Sequence, residues 1–235
     1  MTAPPRTARG IRTRGRILQA AETVFATSGY HDASVVRITD EAGVGLGTFY
    51  QYFQGKQEVF DEVVADLNRR VRHAMSEASA AATTRLEAER AGFRAFFRFT
   101  AEHPALYRII RQAEWVSPPA MRAHYESIVA GYVEGLEQAR RRGEVRDLDP
   151  GVAAWALMGA GELIGMRWVL WEQDTPASPT GVPEHVFESL MAFIDAALRP
   201  DAAAPAPPAG SGPDHHPTED DMTATAPAAP TGQPS

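Results

Sequence analysis

Between Ser34 and Lys56 the chain reads SVVRITDEAGVGLGTFYQYFQGK. Within it Gly47, Thr48, Tyr50, Gln51 and Tyr52 set a bare backbone, hydroxyls and an amide side by side. On a short helix from Leu46 to Phe53, with Phe49 and Phe53 turned inward, they make an open polar face. Such a face suits entry into the major groove of a duplex. Gln51 is able to pair with adenine and Leu46 to meet a thymine methyl, while Gly47 lets the backbone come close. Arg37, one helix earlier, reaches either a guanine or a phosphate. Arg12, Arg14 and Arg16 are read as phosphate contacts; they lie among five arginines (6, 9, 12, 14 and 16) in residues 1–20, which hold no acid. Lys56 is a cation at the start of a helix, where the macrodipole disfavours it. A phosphate partner would account for that placement; an ordinary exposed lysine is the alternative.

A second group of polar residues lies in apolar company. Glu162 and Arg167 interrupt the run GVAAWALMGAGELIGMRWVLWE. A charge in such a helix faces a partner, a rim or a ligand. Residues 85–172 contain all four Trp and many Phe, Tyr and Met. Phe93, Phe97, Tyr107, Ile110 and Trp115 are candidates to line an apolar cavity. So are Tyr125, Trp155, Met158, Glu162 and Trp168, and His103 and Glu114 are placed to orient a polar end. For each aromatic taken singly, a plain packed core is an equal reading. No Gly-rich phosphate loop, nucleophile elbow, zinc motif or paired-carboxylate set appears, so no enzyme, cofactor or metal is expected. Cysteine is absent, which removes disulfides and thiolate sites.

The periodicity predicts an all-α chain of about nine helices. A first helix over about 12–28 buries Ile17, Ala21 and Val24, and Gly29 ends it. Ser34 caps a second helix whose inner face is Val35, Ile38 and Ala42, and Gly43 stops it in the left-handed C′ conformation. A helix from Lys56 to about Met75 repeats Phe60, Val63, Leu67 and Val71 at threes and fours. Helices follow over about 85–102, 104–115, 118–142, 150–172 and 184–198. The run at 150–172 is apolar nearly all round, yet Glu162 and Arg167 near its middle exclude a membrane span. Its small residues Gly159, Ala160, Gly161 and Gly165 invite another helix close, and a partner subunit is the natural cover.

The domains expected are a flexible basic arm at 1–11, a three-helix DNA-binding head at 12–56, a helical ligand-binding and dimerisation domain at 57–198, and a disordered tail at 199–235. The chain carries a net charge of −7. The tail holds five acids and one Arg, a net −4, and nine of the eighteen Pro. Acidity therefore gathers at one end and the basic residues at the other. Such a tail cannot bury enough apolar surface to order itself.

The run ITDEAGVGLGTFYQYFQGKQEVF resembles the helix-turn-helix signature of the tetracycline-repressor (TetR) family. Ala42-Gly43-Val44, Gly47-Thr48-Phe49-Tyr50, Tyr52-Phe53 and Lys56 stand in its pattern and order. The likeness is strong over roughly residues 10–60 and beyond that is one of size and architecture. One departure is Gly45 where the family usually has Ser, so a phosphate contact from that hydroxyl is missing. The resemblance implies phosphate or base contacts for Thr48, Tyr50, Tyr52 and Lys56, with Ser34 at the head of the preceding helix. It also implies a cytoplasmic, nucleoid-associated repressor. Two heads about 34 Å apart then need a homodimer on a palindromic operator, formed through the helices at 150–172 and 184–198. A hydrophobic small-molecule effector would shift the fourth helix and release the DNA. The alternatives are a helical small-molecule-binding protein, or a DNA-associated protein with no inducer.

Overall fold

The computed structural model describes residues 7–171 and 181–200. The tail beyond Pro200, residues 1–6 of the expected arm and most of the expected loop at 173–183 lie outside the described residues. Among the described residues the chain is built of helices, without strands, in the order foreseen.

The first helix, α1, spans Ala8–Asp32 and starts earlier than expected. Thr7 supplies the reason: its hydroxyl accepts from the Gly10 amide at 3.1 Å, capping a turn that takes up residues 8–11 of the supposed arm. Gly29 breaks the helix with φ 74°, and a last turn carries on to Asp32. Next comes α2, Val35–Ala42, capped as foreseen by the Ser34 oxygen on the Arg37 amide and ended by Gly43 at φ 60°. The third helix, α3, is only Leu46–Tyr50, shorter than the expected Leu46–Phe53. Phe49 and Phe53 are nonetheless both fully buried. Holding both rings in one core requires the chain to turn after Tyr50.

Helix α4 runs Lys56–Ser79, and α5, Arg85–Glu102, opens on a capping box between Thr84 and Glu87. Then follow α6, Ala105–Val116, and α7, Pro118–Arg141. Asp149 caps α8, Pro150–Gly165, through the Val152 amide at 2.8 Å. The single α-helix expected to reach Glu172 instead becomes π-helical over Met166–Trp171. Helix α9 is Glu184–Leu198.

One apolar cluster joins α1, α2 and α3 to α4 and α6, through Phe25, Ile38, Phe49, Phe60 and Ile109. A second, around Phe93, Phe97, Leu157, Phe187 and Ile194, holds α5, α7, α8 and α9. No described helix is long and apolar enough to cross a membrane.

Candidate nucleic-acid interface and ligand cavity

The head presents α3 to solvent. Leu46 is 46% and Tyr50 52% exposed; Gly47 and Gln51 are exposed beside them, and Thr48 and Tyr52 are half-buried. A Cβ added at Gly45 or Gly47 would meet nothing within 4 Å, so both glycines lie open to an approaching surface. Ser34 uses its oxygen as the cap of α2 and keeps its O–H for another acceptor. Arg37 is exposed, with only a long 3.4 Å contact to the Asp32 carbonyl. Arg12 is exposed and makes no ion pair among the described residues.

Three expected phosphate ligands, Arg14, Lys56 and Arg16, have partners within the protein. Arg14 pairs with Glu62 of α4 at 2.9 Å and lies 5.0 Å from the Phe53 ring centre. Lys56 donates to the carbonyls of Tyr30 at 2.7 Å, Ala33 at 2.9 Å and His31 at 3.4 Å. Its ammonium also stands 4.3 Å from the Tyr30 ring centre. The cation is therefore held by the carbonyls at the end of α1, which offset its poor position at the start of α4. Arg16 serves α2 in the same way, donating to the carbonyls of Ala42 and Gly43.

The segment from Gly29 to Ala33 is gripped from the other side as well. Gln112 of α6 accepts from the Tyr30 amide at 2.6 Å and donates to the Phe25 carbonyl at 3.2 Å. The Tyr30 hydroxyl donates to Gln57 at 2.9 Å. Thus α4 and α6 both hold the corner between α1 and α2.

On its other face α6 lines a small apolar cavity. Six expected residues meet there: Phe93, Tyr107, Ile110, Tyr125, Met158 and Glu162. Four do not. Phe97 is fully buried in the second core cluster, against Phe93 and Phe187. Trp115 is 80% exposed and Trp155 49% exposed, and Trp168 packs on the second cluster. Met75, Phe96, His124, Ile128 and Tyr132 also line the wall; the spacing puts Phe96, Ile128 and Tyr132 on helix stripes, but none of the five was expected at the cavity. His103 is elsewhere, beside Phe99 and Arg70.

Three polar positions sit on this wall: the Tyr125–Glu162 pair, Tyr107 and His124. Tyr125 donates to the Glu162 carboxylate at 2.7 Å. Burial pushes the Glu162 carboxyl above its usual range, against the Tyr125 hydrogen bond and Arg111. Tyr107 is buried with no hydrogen bond of normal geometry to its hydroxyl; Thr100 is near enough only to bias its titration. A Cβ at Gly165 would overlap that hydroxyl, so glycine is needed where α8 passes.

His124 is the third. Asn68 of α4 donates to its Nδ1 and to its carbonyl oxygen, both at 3.0 Å, and Ser127 donates to the Asn68 amide oxygen at 3.0 Å. Nδ1 is therefore the accepting nitrogen and the ring is neutral. Burial lowers its pKa from 6.5 to about 4. The unfolded chain takes up this proton first, so the stabilisation is full above pH 6.5 and lost as pH falls toward 4. Between pH 7 and pH 5 His124 costs the fold about 2 kcal/mol. Glu89 and Glu162, whose carboxyls burial raises, act in the opposite sense. Urea unfolding at both pH values isolates the histidine: the loss should shrink by about that amount in His124→Gln. An equal loss in both proteins would place the proton elsewhere.

Residues 17–63 match the profile of the bacterial regulatory proteins, tetR family. Over 64 residues the chain is 42% identical to the HTH-type transcriptional regulator YdgC of Bacillus subtilis (strain 168), covering 27% of this chain and 33% of that protein. Over 113 residues it is 35% identical to the HTH-type transcriptional activator FasR of Mycolicibacterium smegmatis, covering 47% of this chain and 50% of FasR. The chain thus spans half or less of these two curated relatives. Its fold is similar to that of the transcriptional regulator FadR from Bacillus subtilis in complex with stearoyl-CoA, with TM-score 0.65 and 22% identity over 75% of this chain and 97% of that one.

Proposed function

We propose that this chain, whose residues 17–63 match the profile of the bacterial regulatory proteins, tetR family, belongs to that family and is a homodimeric, sequence-specific DNA-binding regulator. It acts as a repressor on a palindromic operator, in the cytoplasm at the nucleoid, and a hydrophobic small molecule releases it. The observation that carries the reading is the open face of α3, mounted on a head in which Arg14, Arg16 and Lys56 are tied inward while Arg12 and Arg37 stay exposed. Arg12, Arg37 and Tyr50 remain available for the duplex, with Leu46, Gly47 and Gln51 at the base edges.

The cavity supports the effector. It touches α6 and α4, the two helices that clamp the Tyr30 corner, so a ligand that spreads them also disturbs the head. By linkage such a ligand binds the DNA-incompetent state more tightly. The FadR complex is a precedent, on a similar fold, for a ligand with a long apolar chain. FasR carries the name of an activator, which favours a second reading in which the bound protein recruits transcription. A reporter fused to the mapped operator decides between the two by the sign of its response.

Footprinting on the DNA around the protein's own gene, with and without hydrophobic compounds, tests the core reading. Tyr50→Ala should weaken binding to every sequence and leave the salt dependence unchanged, because a neutral hydroxyl displaces no counterion, whereas Arg12→Ala should flatten the slope by about one. Gln51→Ala should instead relax preference at one base pair, by about 1–3 kcal/mol. Unchanged footprints in the Tyr50 and Gln51 variants would take α3 out of the groove.

A further inference from the structure

The apolar cavity is too small to hold an effector alone. Its volume is about 40 Å³, little more than the share of a single water, whereas small-molecule sites run to roughly 300 Å³ and beyond. Beside it, between α4, α5 and α7, lies a second void of about 510 Å³. The two share Met75, Ile128 and Tyr132, so they are adjoining chambers with a common wall. Their chemistry differs. The small chamber is aromatic and aliphatic. The large one is bordered by three guanidiniums, of Arg69, Arg72 and Arg85, and one carboxylate, of Glu89, with His73 at its edge.

Those charges are unevenly satisfied. Arg69 pairs with Asp66 at 2.7 Å, and His73 stands 3.8 Å from Glu77. Arg72 is exposed and makes no ion pair among the described residues. Arg85 is largely buried and pairs with the buried Glu89. Its Nε is buried with no hydrogen-bond partner. Its guanidinium lies 5.7 Å from the Tyr132 ring centre and occupies space that a Cβ at Gly135 would fill. Burial pushes the Glu89 carboxyl up in spite of Arg85.

We propose that the two chambers form one site for a single-chain amphiphile, with its anionic head among Arg69, Arg72 and Arg85 and its apolar tail passing Met75, Ile128 and Tyr132 into the aromatic cavity. This rests on the effector reading above and names the effector's class. Phosphate and carboxylate heads share the chemistry, since a guanidinium fork binds either in bidentate fashion. The unbranched side chains of Met75 and Met158 yield readily to an entering chain, which lets a closed cavity accept one.

Calorimetry on the full-length protein with four probes tests this: dodecanoyl-coenzyme A, dodecanoate, dodecanol and free coenzyme A. Both anionic chains should bind at least about tenfold more tightly than dodecanol, the worth of one charge-assisted hydrogen bond. Free coenzyme A should bind far more weakly than its dodecanoyl ester. Arg69→Glu with Arg72→Glu, on an exposed face where folding is spared, should weaken both anionic chains about tenfold or more and leave dodecanol unchanged. Ile128→Trp at the shared wall should weaken all three chain-bearing probes. Equal binding of dodecanol and the anions, charge reversal without effect, or no binding by any probe would overturn the proposal. Operator release measured in parallel separates the two readings. Charge-dependent binding without release leaves the site standing and the regulator reading fallen. Equal release by dodecanol and dodecanoyl-coenzyme A does the reverse.

Discussion

Leu163→Asp combined with Phe193→Asp should turn the protein into a monomer by light scattering and lower its operator affinity by about two to three orders of magnitude. On α8, Val152, Trp155, Gly159 and Leu163 recur at threes and fours along one outward face, and Val152 is 70% and Leu163 60% exposed. On α9, Phe193 is 66% exposed. Burying one such side chain is worth about 1.5–3 kcal/mol, and a two-fold interface uses each residue twice. Two buried carboxylates per subunit would cost several kcal/mol more, since nothing apolar can pair them. Once the subunits part, each head binds its half-site alone and the gain from tethering disappears. The isolated fold should hardly notice, because neither side chain belongs to the core of its own chain. A dimer that survives the double substitution would move the interface away from α8 and α9.

How far the residues spoke for themselves depended on the range of the physics. The caps of α2 were legible because Ser34 and Gly43 act within a turn of where they stand. The burial of Phe49 and Phe53 was legible for the same reason, although the end of α3 was not. Trp115 was misplaced even though its register was on view. Leu106, Ile109, Ile110 and Ala113 fix the buried stripe of α6, and Trp115 falls off it. There the aromatic type outweighed the spacing. Trp168 is a different case: it sits in the π-helical turn after Gly165, where the 3.6-residue period no longer assigns faces. His124 stands in a polar stretch, and the partner that satisfies its buried ring, Asn68, is brought over from α4. The cations of the head carried the most misleading signal. Their charge was plain, but backbone carbonyls, which leave no trace in composition, hold Lys56 and Arg16.

That correction sets up a clear-cut experiment on Lys56→Met, which keeps the stem and removes the ammonium. Three carbonyls of the Tyr30–Ala33 corner lose their donor, and the Tyr30 ring loses its cation. A hydrogen bond to a charged group contributes about 1.5–3 kcal/mol when well made; these share one partly exposed ammonium, so the total should be about 2–3 kcal/mol. For a chain of this size that is a fall of roughly 5–10 °C in Tm. Tyr50→Ala, on an exposed ring, should leave Tm within about 1 °C while it weakens DNA binding. The salt dependence divides the two possible roles of Lys56. If the ammonium only braces the corner, the folded Lys56→Met protein binds DNA with an unchanged slope of log K against log salt, since no phosphate has lost its partner. If it neutralises a phosphate, the slope falls by about one and Tm stays where it was. A flattened slope with an undisturbed melt would return Lys56 to the DNA. The reverse pattern would fix it as the strut that seats α4 on the α1–α2 corner, the same corner that Gln112 of α6 grips.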